Sequence, residues 1–409
     1  MEYEQILYNI PMFEVNLDKY DVNPSFSKEL NYPCVKYGFN YLIYFTKDKM
    51  NIINELKGTD SKKVFLVLNK FERYIDDYDD DINSMVNKFL KFTEKDLPIM
   101  SRGFYKLWEI LMTFDIINLN KELTSVHLAE GPGSFIQSTI LFRDTFAKNS
   151  KNDKFYGITL HPEEQKPTPD IEKQFIKYYD SEKQKRVFIH KTYSDKISSG
   201  DKLKDNGDLT KLKTIELLCG EVGEADFVTA DGGFDWENEN TQEQEMSKLM
   251  LGQMVAACKL LKKNGTFVCK VFETMTTFTL KLIFVMSQMF DEVLVYKPYT
   301  SRPSNSEKYI IFKKFKKNIN LIKKLENLLE NYEGYLIDFF PTLILPEKFE
   351  EMFTDINIKI LNKQTININE IVTFIKNGDF KGSVYNTHRE QQIEASKFWK
   401  KEFLNKPKK

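Results

Sequence analysis

From about residue 126 onward, the apolar residues of this chain fall into short runs separated by amphipathic stretches. The runs lie at 126–130, 155–160, 187–191, 225–231, 266–272, 292–297 and 307–315. Between them apolar positions recur at helical spacing, which predicts helices at 134–147, near 170–179, at 242–263 and at 277–290. Strands that alternate with helices imply a mostly parallel sheet covered on both faces. Seven strands with this rhythm predict an α/β, Rossmann-like, doubly wound sheet. Its last two strands form an antiparallel hairpin joined by the loop 298–306.

On either side the pattern differs. Phe104, Leu107, Trp108, Leu111 and Phe114 recur at helical spacing and predict a helix over 101–117 that carries Lys106. Residues 82–92 read as a helix, and 64–67 as a short strand or one helical turn. The rest of the first 97 residues predicts no fold. After residue 317 the strand–helix rhythm stops. Residues 321–335 and 385–404 read as helices, with an Asn-rich, β-prone segment at 356–371 between them. The expected division is therefore an N-terminal region (1–97), an α/β domain (98–317) and a C-terminal helical extension (318–409). No internal repeat is visible.

Charge and composition narrow the chemistry. The net charge of −1 is not that of a protein that binds nucleic acid by charge alone, so an RNA site would be a local patch. Basic clusters at 183–191, 259–263 and 313–317 each read first as solvated surface. Cys34, Cys219, Cys258 and Cys269 are scattered with no Cys-x-x-Cys pair, as expected of reduced thiols in a cytosolic protein. The four histidines lack metal-ligand spacing, and no metal is expected. Residues 1–18 carry acids and no long apolar run, so no secretory signal is expected. No stretch approaches the roughly 18 apolar residues of a membrane span. A soluble, intracellular protein is the expectation.

Two local features carry chemistry. Glu130-Gly131-Pro132-Gly133-Ser134-Phe135 follows a predicted strand and opens a predicted helix. Glycines there let a backbone approach a ligand closely, beyond the carboxyl end of a strand, where open α/β sheets bind ligands. A purely structural turn is the other reading. Neither the Gly-Lys-Ser/Thr of a P-loop nor the long dinucleotide glycine pattern is present, so an adenosyl ligand without phosphates suits the turn better than a nucleotide phosphate does. Asn206-Gly207-Asp208-Leu209 is a turn that could also hold an adenine edge, with Asp208 as acceptor. The second feature is Lys270, in the middle of the apolar run Phe267-Val268-Cys269-Lys270-Val271-Phe272. A lysine inside a buried strand is costly unless paired or functional, although one at a strand end can reach solvent. Burial beside another cation is what keeps a lysine neutral enough to act as a base near pH 7.

The segments 101–110, 156–160 (YGITL), 228–233 (VTADGG), 267–272 (FVCKVF) and 300–309 (TSRPSNSEKY), in this order, resemble the FtsJ-like ribose 2′-O-methyltransferases, and among them the adrift-type mRNA cap enzymes. The resemblance covers about residues 98–316 and implies an S-adenosylmethionine-dependent methyltransferase fold. It implies a catalytic tetrad of Lys106, Asp231, Lys270 and Glu307, with Lys270 as general base. It implies S-adenosylmethionine held by Glu130, Gly131, Pro132, Gly133, Ser134 and Phe135, with Thr159, Leu160, Asp208, Leu209 and Asp231 completing the seat. The implied acceptor is the 2′-hydroxyl of the first transcribed nucleotide beside a 5′ cap. The second nucleotide, ribosomal or transfer RNA, and a non-catalytic RNA-binding role in a capping complex are the alternatives.

The chain departs from the family in two places. Glu130 stands where many relatives carry a small residue, and Thr159-Leu160-His161 lacks the acid that often binds the donor ribose. Phe234 and Trp236 could stack on a methylated guanine by cation–π attraction or pack in the fold. The implied partners are the capped mRNA 5′ end and other capping enzymes. Such enzymes occur in eukaryotic cells and in large cytoplasmic DNA viruses. The short flanks predict the viral kind, acting in the host cytoplasm or carried in the virion.

Overall fold

A computed structural model of the chain describes residues 3–29, 39–56, 58, 60–161, 171, 173–179, 185–190, 206–233 and 240–408. The first part of the chain forms β1 (Ile6–Asn9), β2 (Ser25–Ser27), α1 (Phe39–Asp48), α2 (Asp60–Leu68), α3 (Ile82–Phe89) and α4 (Gly103–Thr113). Strand–helix alternation follows: β3 (Thr124–Leu128), α5 (Ser134–Phe146), β4 (Lys154–Ile158), α6 (Lys173–Tyr179), β5 (Val187–Ile189), α7 (Leu212–Val222), β6 (Ala225–Ala230), α8 (Gln242–Glu245), α9 (Ser247–Leu260), β7 (Leu261–Val271), α10 (Thr277–Gln288), β8 (Phe290–Lys297) and β9 (Lys308–Phe315). The chain ends with α11 (Ile319–Glu330), β10 (Tyr335–Asp338), α12 (Glu347–Asn377) and α13 (Ser383–Phe403).

The principal sheet runs β1-β8-β9-β7-β6-β3-β4-β5. From β7 to β5 its neighbours are parallel. β9 inserts between β7 and β8 and is antiparallel to both, so β8 and β9 form the expected hairpin. The mostly parallel α/β architecture stands, but among the described residues this sheet has eight strands instead of seven. The addition is β1, which pairs with β8 from nearly three hundred residues away, Ile6 opposite Lys297. A four-residue strand offers too few positions for period-2 alternation to register.

Successive residues of a strand face opposite sides of the sheet, and the buried core divides accordingly. Val228, Phe267, Cys269, Ile310 and Phe312 face a layer built from α7, α9, α10, α11 and α12. Phe227, Val268, Tyr309 and Ile311 face α3, α4, α5, α6 and α13. By the same alternation Asp231, Lys270 and Glu307 point to the side of α4, the helix that carries Lys106. Among the described residues no helix is long and apolar enough to cross a membrane.

Three local expectations are corrected. Residues 356–371, expected to be β-prone, lie inside the long helix α12. Its buried residues Phe349, Phe353, Ile356, Ile360, Gln364, Ile368, Ile371 and Phe374 recur at helical steps of three and four, and burial of that stripe overrides the preference of Ile and Asn for other structures. The helix expected over 242–263 ends at Leu260, and Lys262 and Lys263 belong to β7. Finally, α7 was not anticipated, although Leu212, Ile215, Leu218 and Val222 carry its spacing.

Candidate active site

Strand register brings the tetrad segments together. Cys269 pairs with Ala230, so Lys270 lies level with Asp231, one residue past the end of β6. On its other side Lys270 pairs with Tyr309, two residues after Glu307. The Lys270 Nζ donates to the Asp231 carbonyl at 2.8 Å and lies 3.2 Å from Asp231 Oδ1. That carboxylate oxygen also accepts from the Tyr309 hydroxyl at 3.0 Å. The Lys106 Nζ reaches across from α4 to both oxygens of Glu307, at 2.8 and 2.9 Å. Two ion pairs therefore stand side by side on one face, each joining a cation of one element to an acid of another.

Burial makes these pairs sensitive to each other's charge. Glu307 is almost fully buried. Burial alone would raise its carboxyl, but the ammonium groups of Lys106, Lys270 and Lys297 outweigh that and hold it well below the usual carboxylate range. The Ser301 hydroxyl donates to its Oε1 at 2.8 Å. Lys297 donates to the Glu307 carbonyl at 2.6 Å, to the Asn305 carbonyl at 3.0 Å and to Asn305 Oδ1 at 3.1 Å. Behind Asp231, the Gly232 N–H donates to Gln253 Oε1 at 3.2 Å. A Cβ at Gly232 would meet that oxygen at 2.6 Å, so a side chain there would push the Gln253 amide away.

The glycine turn lies beside the tetrad. The Gly133 N–H donates to the Glu130 carbonyl at 2.8 Å, and Gly133 sits at φ +115 at the entry to α5. That conformation and the Phe175 ring, 3.1 Å from a built Cβ, make a side chain there strained. The Glu130 side chain acts locally. Its Oε1 accepts the N–H groups of Phe135 and Ile136 at 2.8 and 2.9 Å and caps α5. Burial, with the charge of Asp231 beside it, pushes the Glu130 carboxyl well above the usual range.

Between this turn and α4 lies a cavity of about 360 Å³. Its walls include Glu130, Gly131, Pro132, Ser134, Phe135 and Asp231, together with Lys106. The opposite wall contributes Arg73 and Arg102, neither of which the sequence had pointed to. Arg102 is engaged by Glu72 and the Thr300 carbonyl. Arg73 Nη1 has no hydrogen-bond partner among the described residues. The volume lies in the range of small-molecule sites, and the set of a glycine turn, carboxylates and an arginine fits a cationic sulfonium that carries a carboxylate.

The remaining residues expected at the donor seat lie apart from these walls. Thr159 and Leu160 follow β4, and the adjoining His161 N–H donates to the Asn206 carbonyl at 2.8 Å, so the two loops run together. Asp208 Oδ1 accepts from the Thr210 N–H at 2.9 Å and the Thr210 hydroxyl at 2.7 Å, as a turn cap does. Leu209 is buried against α9, and a Cβ on Gly252 would come 2.0 Å from the Leu209 carbonyl oxygen. Phe234 and Trp236 lie outside the described residues.

The sequence also missed Tyr309, Ser301, Lys297 and Gln253. Tyr309 reads as strand core, and Ser301 lies within the 300–309 segment without a visible role. No pattern marks Lys297 or Gln253.

Residues 99–315 match the model of the FtsJ-like methyltransferases. The chain is 33% identical over 168 residues to cap-specific mRNA (nucleoside-2′-O-)-methyltransferase 1 of Drosophila melanogaster, covering 38% of this chain and 21% of that protein. It is 27% identical over 291 residues to the Caenorhabditis elegans protein of the same name, covering 66% of this chain and 28% of that protein. An uncharacterized protein of Acanthamoeba polyphaga mimivirus is 28% identical over 282 residues, 65% of this chain and 34% of that protein. The chain thus spans between about a fifth and a third of the length of these relatives.

Proposed function

The chain belongs to the FtsJ-like methyltransferase family, and from that premise we propose that it methylates the 2′-hydroxyl of the first transcribed nucleotide of a capped RNA, with Lys270 as general base. S-adenosylmethionine, the donor of this family, supplies a methyl group on a positively charged sulfur. The observation that carries the reading is the pair of adjoining ion pairs, Lys106 with Glu307 and Lys270 with Asp231, beside the glycine-turn cavity. The names of the fly and nematode relatives support a capped mRNA as the acceptor.

A ribose hydroxyl is a weak acid whose proton must leave as its oxygen attacks. In the proposed step the oxygen lone pair forms the bond to the methyl carbon. Bound S-adenosylmethionine would supply the methyl group and leave with the carbon–sulfur electrons on sulfur, and the ribose proton would pass to Lys270 once its ammonium, paired with Asp231, has released a proton. Asp231 holds that nitrogen by its carbonyl and Oδ1, which fixes the direction in which Lys270 accepts. Tyr309 holds the Asp231 carboxylate in turn. Lys106, anchored by Glu307, sets a positive charge beside the developing oxyanion. Glu130, Gly131, Pro132, Ser134 and Phe135 wall the donor side, and Arg73 offers a cation to an anionic group.

The test is methyl transfer from labelled S-adenosylmethionine to short RNAs with a methylated cap, an unmethylated cap or no cap. Transfer to capped RNA, mapped to the first ribose 2′-oxygen and reduced by at least about 100-fold in Lys270→Ala, is the expected result. Equal transfer to uncapped RNA, or methylation mapped to the second nucleotide, would replace the acceptor. No transfer together with no donor binding would refute the enzymatic reading.

A further inference from the structure

Glu109 follows Lys106 by three residues on α4 and is fully buried. An isolated buried carboxylate would be strongly disfavoured, but donors converge on this one from three elements. Its Oε1 accepts from the Thr300 N–H at 2.9 Å, the Thr300 hydroxyl at 2.6 Å and the Trp399 indole N–H at 3.0 Å. Its Oε2 accepts from the Tyr299 N–H at 2.6 Å and the Tyr296 hydroxyl at 3.2 Å. Thr300 is therefore gripped by Glu109 through its N–H and hydroxyl, and by the Arg102 guanidinium through its carbonyl. The next residue, Ser301, donates to Glu307 Oε1. One hold on the Glu307 carboxylate thus runs through Thr300 and Ser301, with Thr300 gripped from both sides by the helix of Lys106, in addition to Lys297 on the Glu307 carbonyl.

The C-terminal helix enters this arrangement at Trp399. The Tyr299 ring packs on Phe398 and Phe403 of α13, with centroids 5.4 and 6.1 Å apart. The Trp108 indole of α4 donates to the Phe403 carbonyl at 2.8 Å. All of α13 lies beyond residue 315, where the family match ends.

We propose that Glu109 is a positioning residue for the Lys106–Glu307 pair, and that α13 holds that pair in register through Trp399. The catalytic consequence rests on the proposed function; the wiring does not. A glutamate buried only for packing would tolerate glutamine. Here glutamine cannot satisfy the site, because its NH₂ must face either the Tyr299 N–H or the Thr300 N–H and the Trp399 indole. The Thr300 segment must shift, and a displacement on the order of 1 Å at a catalytic group can cost about 100-fold in rate.

Two measurements on the full chain test this. The first is hydrogen exchange of the 298–307 segment in wild type, Glu109→Gln, Trp399→Phe and Trp108→Phe. Trp108→Phe cuts an indole bond between α4 and α13 without touching Glu109. Faster exchange at the Tyr299 and Thr300 amides in the first two variants, but not in Trp108→Phe, is expected. The second is kcat and KM for methyl transfer. A drop of at least tenfold in kcat for Glu109→Gln and a smaller drop for Trp399→Phe are expected, with KM for S-adenosylmethionine within about twofold and Trp108→Phe close to wild type. Equal exchange in Trp399→Phe and Trp108→Phe overturns the wiring, and Trp399→Phe decides it if Glu109→Gln does not fold. An inactive wild type with the expected exchange pattern refutes the proposed function and leaves the wiring standing. An active wild type whose kcat neither variant changes refutes the positioning role.

Discussion

Neutralising Glu307 tests whether its pairing with Lys106 is an ion pair in a nearly dry setting. Glu307 is 5% exposed, and its oxygens lie 2.8 and 2.9 Å from the Lys106 ammonium. Glu307→Gln keeps the shape and leaves the Lys106 ammonium without its anion, while burial already pushes the neighbouring Lys297 down to about 7. Removing one partner of a buried ion pair costs about 3–5 kcal/mol. The Lys106 side chain is 14% exposed at the cavity, and this access to water puts the expected cost at the lower end, about 3 kcal/mol. The pH dependence has a definite sign. Burial opposes ionisation, but Lys106, Lys270 and Lys297 prevail, so the folded carboxyl lies below its ordinary value of 4.5, at about 2. The stabilisation is therefore present in full above pH 4.5 and is lost as the pH falls through about 2. Urea unfolding of wild type and Glu307→Gln near pH 7 and near pH 3 reads it. A difference of about 3 kcal/mol near neutrality that roughly halves near pH 3 is expected. A difference below about 1 kcal/mol at neutrality, the range of screened surface pairs, or one that does not change with pH refutes the reasoning.

Two further perturbations probe the walls of the site. Arg73→Met keeps the length of the side chain and its packing over Tyr74 but removes the cation. If Arg73 meets a backbone phosphate of the acceptor, RNA affinity should fall and the slope of log affinity against log salt should decrease by about 1, with donor binding unchanged. An unchanged slope with weaker S-adenosylmethionine binding would instead assign Arg73 to the donor carboxylate, and no change in either would remove it from the site. Gly252→Ala places a Cβ 2.0 Å from the Leu209 carbonyl oxygen, a backbone atom that cannot swing aside. A loss of at least about 2 kcal/mol is expected, read as a lower Tm together with weaker donor binding through the 208–209 loop. A variant with wild-type Tm and wild-type donor affinity would show that this loop has room to move and no part in the donor seat.

Of the tetrad, only Lys270 was legible from the residues themselves; Lys106, Asp231 and Glu307 were picked out by the family resemblance. Lys270 interrupts an apolar strand, and period-2 alternation assigns it a face; register with β6 then sets it beside Asp231. The glycine turn was legible because a strand ends and a helix begins around it. What stayed hidden depends on chain that is remote in sequence. β1 finds its partner only across the whole chain, at β8. Arg73 lies in a polar stretch that reads as solvated surface until α4 and α5 close against it. In α12 the β-branched residues pointed to extended structure, and only the spacing of three and four, completed by the packing of Ile371 and Phe374 against Val64 and Leu68 of α2, reveals the helix.

The same dependence on remote chain shapes the electrostatics of the site. Arg102 at the start of α4 and Arg302 in the loop before Glu307 are close enough that burial and the charge of Arg102 together push the Arg302 guanidinium down to about 10. Two guanidinium groups so placed would repel each other and drive the loop away from α4. Glu72, 2% exposed, relieves this: its Oε2 bonds Arg102 and lies 3.8 Å from Arg302 Nε. Phe65 adds a ring face 4.5 Å from the Arg302 guanidinium. Both residues precede the 99–315 segment that the family model matches. Lys106, Asp231, Lys270 and Glu307 thus all lie in the shared core, while the charge balance beside the Glu307 loop comes from the flank. This explains in physical terms why residues 1–97 carry no recognisable motif and still act on the site. Besides Arg73 in the cavity wall, they set one carboxylate and one ring beside the Glu307 loop, which no local pattern in a sequence announces.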